Sequence, residues 1–263
     1  MNRIDATLAR LRKDTRSGLV CYFTAGDPDF VTSLELLNGL SAAGADIIEL
    51  GMPFSDPVAD GPTIQDAHIR ARAAGQTVVR TLELVHALRA TDANTALVLM
   101  GYLNPVMQYG RDRFMRDAAA AGVDGLIVVD LPVEHAAPYQ AAARGSGIHL
   151  IRMTAPTSDS DRLARVLRDA SGFVYHVTVT GTTGRAVWAP DDIATAVARL
   201  RTHTSVPIAA GFGIRTPEQV RQLTGIADLI VVGSRLVEVL AARGVAAALT
   251  EVGALAAAIE AGK

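Results

Sequence analysis

Lysine is nearly absent from this chain. Only Lys13 and Lys263 occur, both close to its ends, and the other basic side chains are arginine. Catalysis through a Schiff base needs a lysine set at a strand end, so that chemistry is close to excluded. Cysteine is scarcer still. Cys21 is the only one, so no internal disulfide can form, which fits a reducing compartment. Its apolar neighbours make it a core residue rather than a nucleophile. Excess charge is lacking too: a net charge of -2 offers no footprint for nucleic acid or an anionic membrane surface. No apolar run approaches the roughly 20 residues that span a bilayer. The opening stretch, MNRIDATLARLRKDTRSG, is charged and periodic, without a signal-peptide core. A cytoplasmic protein is expected.

Motifs are missing as well. There is no G-x-S-x-G nucleophile elbow and no G-x-G-x-x-G after a strand, which argues against a serine hydrolase and a dinucleotide enzyme. His149 and His176 lie in strand-like runs and could in principle join Asp130 at a metal. Their spacing fits no metal motif, so core histidines are the expected reading and no metal is called for. No linker or low-complexity segment divides the chain, so residues 1–263 are read as a single domain.

What is present is a rhythm. Apolar runs recur at Leu19–Thr24, Asp46–Leu50, Ala96–Met100, Gly125–Val129, His149–Met153, Phe173–Thr178, Pro207–Ala210 and Leu229–Val232. Helix-period segments fit between them. A module repeats as AAGADIIEL, AAGVDGLIVVD and TGIADLIVVG: a helix end at glycine, an aspartate, then a strand. Strands alternating with helices, apolar on both faces, predict a parallel sheet. Eight such units favour a closed (β/α)8 TIM barrel over an open doubly wound sheet. An extra N-terminal helix is expected over Ile4–Lys13. Two helices should follow the second strand, near Thr63–Ala74 and Thr77–Arg89, and further helical sequence follows the eighth, from Val237 to Ile259.

Polar and glycine features cluster just after the strands, where such barrels carry their active sites. Glu49 is a lone charge inside an apolar strand, costly to bury unless paired or neutral. Asp60 lies on the proline- and glycine-rich loop that follows. If Glu49 points into the barrel mouth, desolvation should raise its pKa and let it give and take protons near neutrality. Two carboxylates in different surroundings suit split acid and base roles. The plainer reading makes Glu49 an ion-pair partner and Asp60 a turn former, and Asp27, Asp56 and Asp130 are open to the same reading. Late in the chain, Gly181 to Gly184, Gly211 to Gly213 and Gly233-Ser234 follow the last three strands. Their backbone N–H groups can meet an anion, and a helix opening at Ser234 would favour negative charge. Together they point to a phosphate site.

These residues carry a family likeness. The sequence resembles the tryptophan synthase alpha chain family over essentially its whole length. The most specific segment is ELGMPFSDPVADGPTIQ, Glu49 to Gln65. TAGDPD, MGYLNPVMQYG, DGLIVVDLP, GFVYHVTVTGTTG, AAGFGIRTPEQV and VVGS support it. The resemblance implies a lyase of L-tryptophan biosynthesis that cleaves indole-3-glycerol phosphate to indole and glyceraldehyde 3-phosphate. It makes Glu49 the general acid/base and Asp60 the second catalytic carboxylate. Tyr175, Thr183 and Phe212 would line the substrate pocket, and Gly184, Gly213, Gly233 and Ser234 would hold the phosphate. Pro53, Asp56 and Pro57 would meet a beta chain in an αββα complex. Pyridoxal phosphate would belong to that partner, with no cofactor in this chain. The stretch Val179 to Pro190, with the only tryptophan, Trp188, would act as a mobile lid, Thr183 meeting Asp60 on closure. Here the sequence departs from the family, which more often has Ser-Arg before the loop glycine and valine after it; Thr178-Val179-Thr180-Gly181-Thr182 stands instead. The alternatives are a free-standing indole-releasing lyase, another phosphate-binding barrel isomerase or epimerase, and a docking subunit without catalysis.

Overall fold

The computed structural model describes residues 1–178, 189–211 and 213–262. The first half of the chain runs α1 (Arg3–Lys13), β1 (Gly18–Thr24), α2 (Phe30–Ala43), β2 (Ile47–Gly51), α3 (Pro62–Ala73), α4 (Val78–Arg89), β3 (Ala96–Gly101), α5 (Leu103–Tyr109), α6 (Arg111–Ala121) and β4 (Gly125–Val128). A 3-10 turn, Val133–His135, leads into α7 (Ala137–Gly145), β5 (His149–Leu150), β6 (Arg152–Thr154), α8 (Ser160–Leu167) and β7 (Val174–Val177). The chain ends with α9 (Pro190–Arg201), β8 (Ile208–Gly211), α10 (Pro217–Leu223), β9 (Leu229–Val232) and α11 (Ser234–Ala261).

All strand pairs are parallel, and the neighbours run β5-β4-β3-β2-β1-β9-β8-β7-β6. The two ends of that order, β5 and β6, are separated along the chain only by Ile151. The fifth expected strand is therefore divided: its first half pairs with β4 and its second with β7. Strands in a closed barrel are sheared, so one strand meets its two neighbours at different heights. The nine strands thus make an eight-stranded TIM barrel, nearly closed, with the ring completed through this segment.

The N-terminal helix is a plug. Ile4 and Leu11 of α1 are buried, and two strand glycines make room for them. A Cβ on Gly125 would lie 2.9 Å from Ile4, and one on Gly18 would lie 2.5 Å from Leu11. Asn2 starts the helix by accepting from Ile4 N–H at 2.8 Å.

The repeated aspartates belong to the same end of the barrel. Asp46 accepts the N–H of Leu19 at 2.9 Å, Asp124 that of Leu97 at 2.9 Å, and Asp228 that of Ile208 at 2.8 Å. Each sits just before its own strand and ties down the neighbouring one. Arginines complete the sites: Arg10 and Arg16 on Asp46, Arg3 and Arg89 on Asp124, Arg201 on Asp228. The module seen in the sequence is a strand-register device, remote from the active rim.

α3 and α4 follow β2 as expected, with Thr77 capping α4 through the N–H of Arg80. Asn104 and Pro105, within the motif MGYLNPVMQYG, lie inside the short helix α5. α11 is long and apolar enough to cross a bilayer by length and composition alone. It is broken at Gly244, whose φ is 77°, and buries Leu236, Val237, Leu240, Val252, Leu255 and Ile259. Its apolar face is a core face.

Candidate active site

Glu49 pairs in register with Tyr22 on β1 and Val98 on β3. Side-by-side residues of a parallel sheet share a face, so Glu49 and Tyr22 point together into the barrel. Glu49 is 1% exposed, and its Oε2 has no hydrogen-bond partner among the described residues. Burial, with the charge of Asp60 adding to it, pushes its carboxyl from the ordinary 4.5 up to about 8. The group is then protonated at neutral pH yet able to release its proton.

Asp60 comes from the β2–α3 loop, and that loop is tied down along its length. Met52 N–H bonds the carbonyl of Met100 at 2.7 Å. Phe54 N–H donates to His68 Nδ1 at 2.8 Å, and Ala59 N–H to the Tyr102 hydroxyl at 3.0 Å. The rings of Phe54 and Tyr102 stack with centroids 5.1 Å apart. Tyr102 in turn donates to Asp60 Oδ2 at 2.7 Å, and His68 Nε2 stands 3.5 Å from that same oxygen. Burial, then the Asp60 charge, pushes the Tyr102 phenol up, which keeps it a donor.

Two more phenols close round the mouth. Tyr22 and Tyr175 are buried and pushed well above the ordinary tyrosine value, first by desolvation and then by Asp60 and Glu49 respectively. Glycines at the strand ends leave space for them. A Cβ on Gly51 would lie 2.2 Å from the Tyr22 hydroxyl, and one on Gly211 2.4 Å from that of Tyr175. The site thus joins one carboxyl that holds a proton, a second, Asp60, that accepts from Tyr102, and two further buried phenols. That suits proton transfer to and from a substrate that becomes cationic.

Two of the late glycines, Gly213 and Gly233, are among the described residues and follow β8 and β9. Gly213 follows β8 with φ 79°, a conformation that favours glycine. Gly233 precedes α11 without a side-chain cap, and Ser234 is its first residue. A Cβ on Gly233 would approach the Cβ of Tyr22 to 3.3 Å, so this helix start adjoins the phenols. Its leading N–H groups form an anion-binding end. Thr183, Gly184 and Phe212 lie outside the described residues, as does the stretch from Val179 to Trp188 assigned to a lid.

The other residues singled out are placed apart from this centre. Asp27 is buried in a two-pronged ion pair with Arg70 at 2.7 and 2.8 Å. Asp130 accepts the N–H of Leu103, His149 faces Asp5 at 3.1 Å, and His176 bonds Thr154 at 3.1 Å. They form no common cluster. Cys21 is buried, its thiol pushed up by desolvation and Asp46. Asp56 is exposed on the rim and Pro57 half-buried, but Pro53 is buried, because it begins the tethered loop. A cavity of 440 Å³ opens between β4, β6 and α8, lined by Leu131, Met153, Thr154 and Val166, without Glu49 or Asp60.

Three members of the site escape a reading of the sequence alone. Tyr22 is an ordinary strand residue, and Tyr102 follows a strand like many loop residues. His68 sits on a helix eight residues beyond Asp60, where only the fold reveals that the two face each other.

Residues 8–262 match the model of the tryptophan synthase alpha chain. The chain belongs to that family. Solved structures agree. Tryptophan synthase subunit alpha from Legionella pneumophila is 36% identical, with 99% of each chain covered and a TM-score of 0.93. A Mycobacterium tuberculosis tryptophan synthase structure is also 36% identical, with 98% of each chain covered and a TM-score of 0.91. The tryptophan synthase alpha family is a lyase acting on indole-3-glycerol phosphate, so this chain is a carbon–carbon lyase subunit of tryptophan biosynthesis.

Proposed function

We propose that Glu49 and Asp60 carry the retro-aldol cleavage of indole-3-glycerol phosphate to indole and glyceraldehyde 3-phosphate. The observation behind this is the buried, proton-holding Glu49 with an Asp60 held by the Tyr102 hydroxyl. Indole C3 must gain a proton before its bond to the glycerol side chain breaks, which leaves a cationic indolenine. Glu49 gives that proton. As the C–C bond breaks, its electron pair returns to the indole ring and the side-chain hydroxyl becomes the aldehyde. The carboxylate of Glu49 takes the hydroxyl proton and is restored. Asp60 accepts the indole N–H and stabilises the ring's transient positive charge. Tyr175 walls the pocket, with Thr183 and Phe212 in the same role. Gly213, Gly233 and Ser234, with Gly184, hold the phosphate through backbone N–H groups.

A beta chain is the partner in this reading, in an αββα complex, and pyridoxal phosphate resides there. The exposed Asp56 and Val58, with Pro57, offer the contact surface. A cytoplasmic location is part of the same reading, in keeping with a single cysteine that can form no internal disulfide. Indole release from indole-3-glycerol phosphate, measured for the chain and for Glu49→Gln, tests the assignment. The variant should lose on the order of 10²-fold in kcat with little change in KM. Near-normal turnover would remove Glu49 from the chemistry.

A further inference from the structure

The cleavage proposed above gives no task to His68, yet this ring is among the most constrained groups in the site. It is 2% exposed. Its Nδ1 accepts the backbone N–H of Phe54 at 2.8 Å, so Nδ1 carries no proton. A neutral imidazole with a bare Nδ1 holds its hydrogen on Nε2. That Nε2 is buried, makes no hydrogen bond among the described residues, and points at Asp60 Oδ2 from 3.5 Å. A buried N–H without an acceptor is costly, and the carboxylate in front of it is the acceptor within reach. Separations of this length between catalytic groups commonly tighten when substrate binds.

The pattern on Asp60 is one-sided. Tyr102 donates to Oδ2, and His68 faces Oδ2 as well. We propose that His68 is a positioning residue: locked as the Nε2–H tautomer by Phe54, it helps Tyr102 hold Asp60 by Oδ2 and leaves Oδ1 turned to the indole N–H. The inference rests on the role given to Asp60 above. It explains why the loop residue Phe54 is fastened to a helix side chain rather than to another backbone group. The loop that delivers Asp60 and the ring that aims it are set by one hydrogen bond.

The test uses the purified full chain. Two-bond ¹H–¹⁵N spectra of the imidazoles at pH 7.5, with His68 assigned by substitution, should show a neutral ring protonated on Nε2. Asp60→Asn should shift that signal. A ring protonated on Nδ1, or a His68 signal indifferent to Asp60→Asn, would overturn the inference even if the chain released no indole, an outcome that would sink the function separately. His68→Phe keeps an aromatic ring, one atom larger, and removes both nitrogens. On indole-3-glycerol phosphate it should lower kcat by about tenfold, with KM within about twofold, because a misaimed carboxylate fails chiefly where charge develops. His68→Gln returns a donor at the ε position but a poor acceptor for Phe54. It should recover most of kcat while melting as low as His68→Phe. A purely structural histidine predicts the reverse: folded His68→Phe with kcat within twofold of the parent, or no recovery in His68→Gln. Either result would return His68 to the scaffold.

Discussion

Glu49 sits where an apolar strand has no water to offer a charge, and the consequence reaches beyond catalysis. In the folded chain its carboxyl keeps a proton up to about pH 8, against an ordinary value of 4.5. Between those two values the unfolded chain has released the proton and the folded chain has not. Folded protein then binds more protons, so stability falls as pH rises through this window and levels off above it. The whole effect is on the order of a few kcal/mol. Glu49→Gln carries no such proton. It should therefore melt above the parent at pH 8.5 and show a smaller loss of Tm between pH 5 and 8.5. A parallel pH dependence in both proteins would mean that Glu49 is ionised throughout. Glu49 was legible in the sequence because a charge inside IIEL breaks the pattern of its strand. Tyr22 and His68 break no pattern: tyrosine suits a strand and histidine a helix, and their meaning lies in what faces them. The buried Pro53 shows the same limit, since a proline-bounded loop reads as exposed until its tethers to Met100, His68 and Tyr102 are seen.

At the scale of elements, the repeat of glycine, aspartate and strand was visible as a pattern, but its purpose was not. Each aspartate fastens the backbone of the next strand over, a contact between segments 20 to 27 residues apart. Pattern reading sees spacing along one chain and not the partner across it. The strand boundaries fared well where apolar runs were short and flanked by glycine. The fifth strand was drawn as one unit because sequence carries no mark of the shear that splits its pairing. The three aspartates should differ in weight. Asp46 and Asp124 are nearly inaccessible and hold arginines that are themselves 12% and 9% exposed at Arg16 and Arg89. Asp228 and Arg201 are 41% and 47% exposed. Removing one partner of a buried ion pair costs about 3–5 kcal/mol, whereas an exposed pair contributes about 0–1. Asp46→Ala and Asp124→Ala should therefore lower stability in urea melts by several kcal/mol. Asp228→Ala should lose mainly the single hydrogen bond to Ile208, about 1 kcal/mol. In folded protein, kcat should be unchanged for all three, since they lie at the end of the barrel away from Glu49. Equal destabilisation by all three would show that the backbone bond, and not the ion pair, dominates.

At the scale of the molecule, a barrel separates what it needs for stability from what it needs for chemistry. α1 and the aspartate ties occupy one end; Glu49, Asp60 and the glycines after β8 and β9 occupy the other. The loop that carries Asp60 also carries exposed surface at that rim: Asp56 is exposed and Val58 is 75% exposed. A beta chain seated there would press on a segment that Phe54 and Ala59 already bind to His68 and Tyr102, both of which face Asp60. Contact and catalysis would then share one short, tethered piece of backbone. A rim charge steers association more than it sets the affinity of a dry core. Asp56→Ala should accordingly raise the beta-chain concentration that half-maximally stimulates indole release by about threefold to tenfold, more at low salt than at high. Its rate without the partner should match the parent, because the Asp56 side chain bonds only Ser55 among the described residues. Val58→Asp places a charge where an apolar surface is expected to be buried, and should weaken stimulation further, again without altering the unpartnered rate. Titrating each variant with beta chain while following indole release separates the possibilities. Equal loss with and without the partner would make these residues part of the pocket. Unchanged stimulation by both would move the docking surface to another part of the rim.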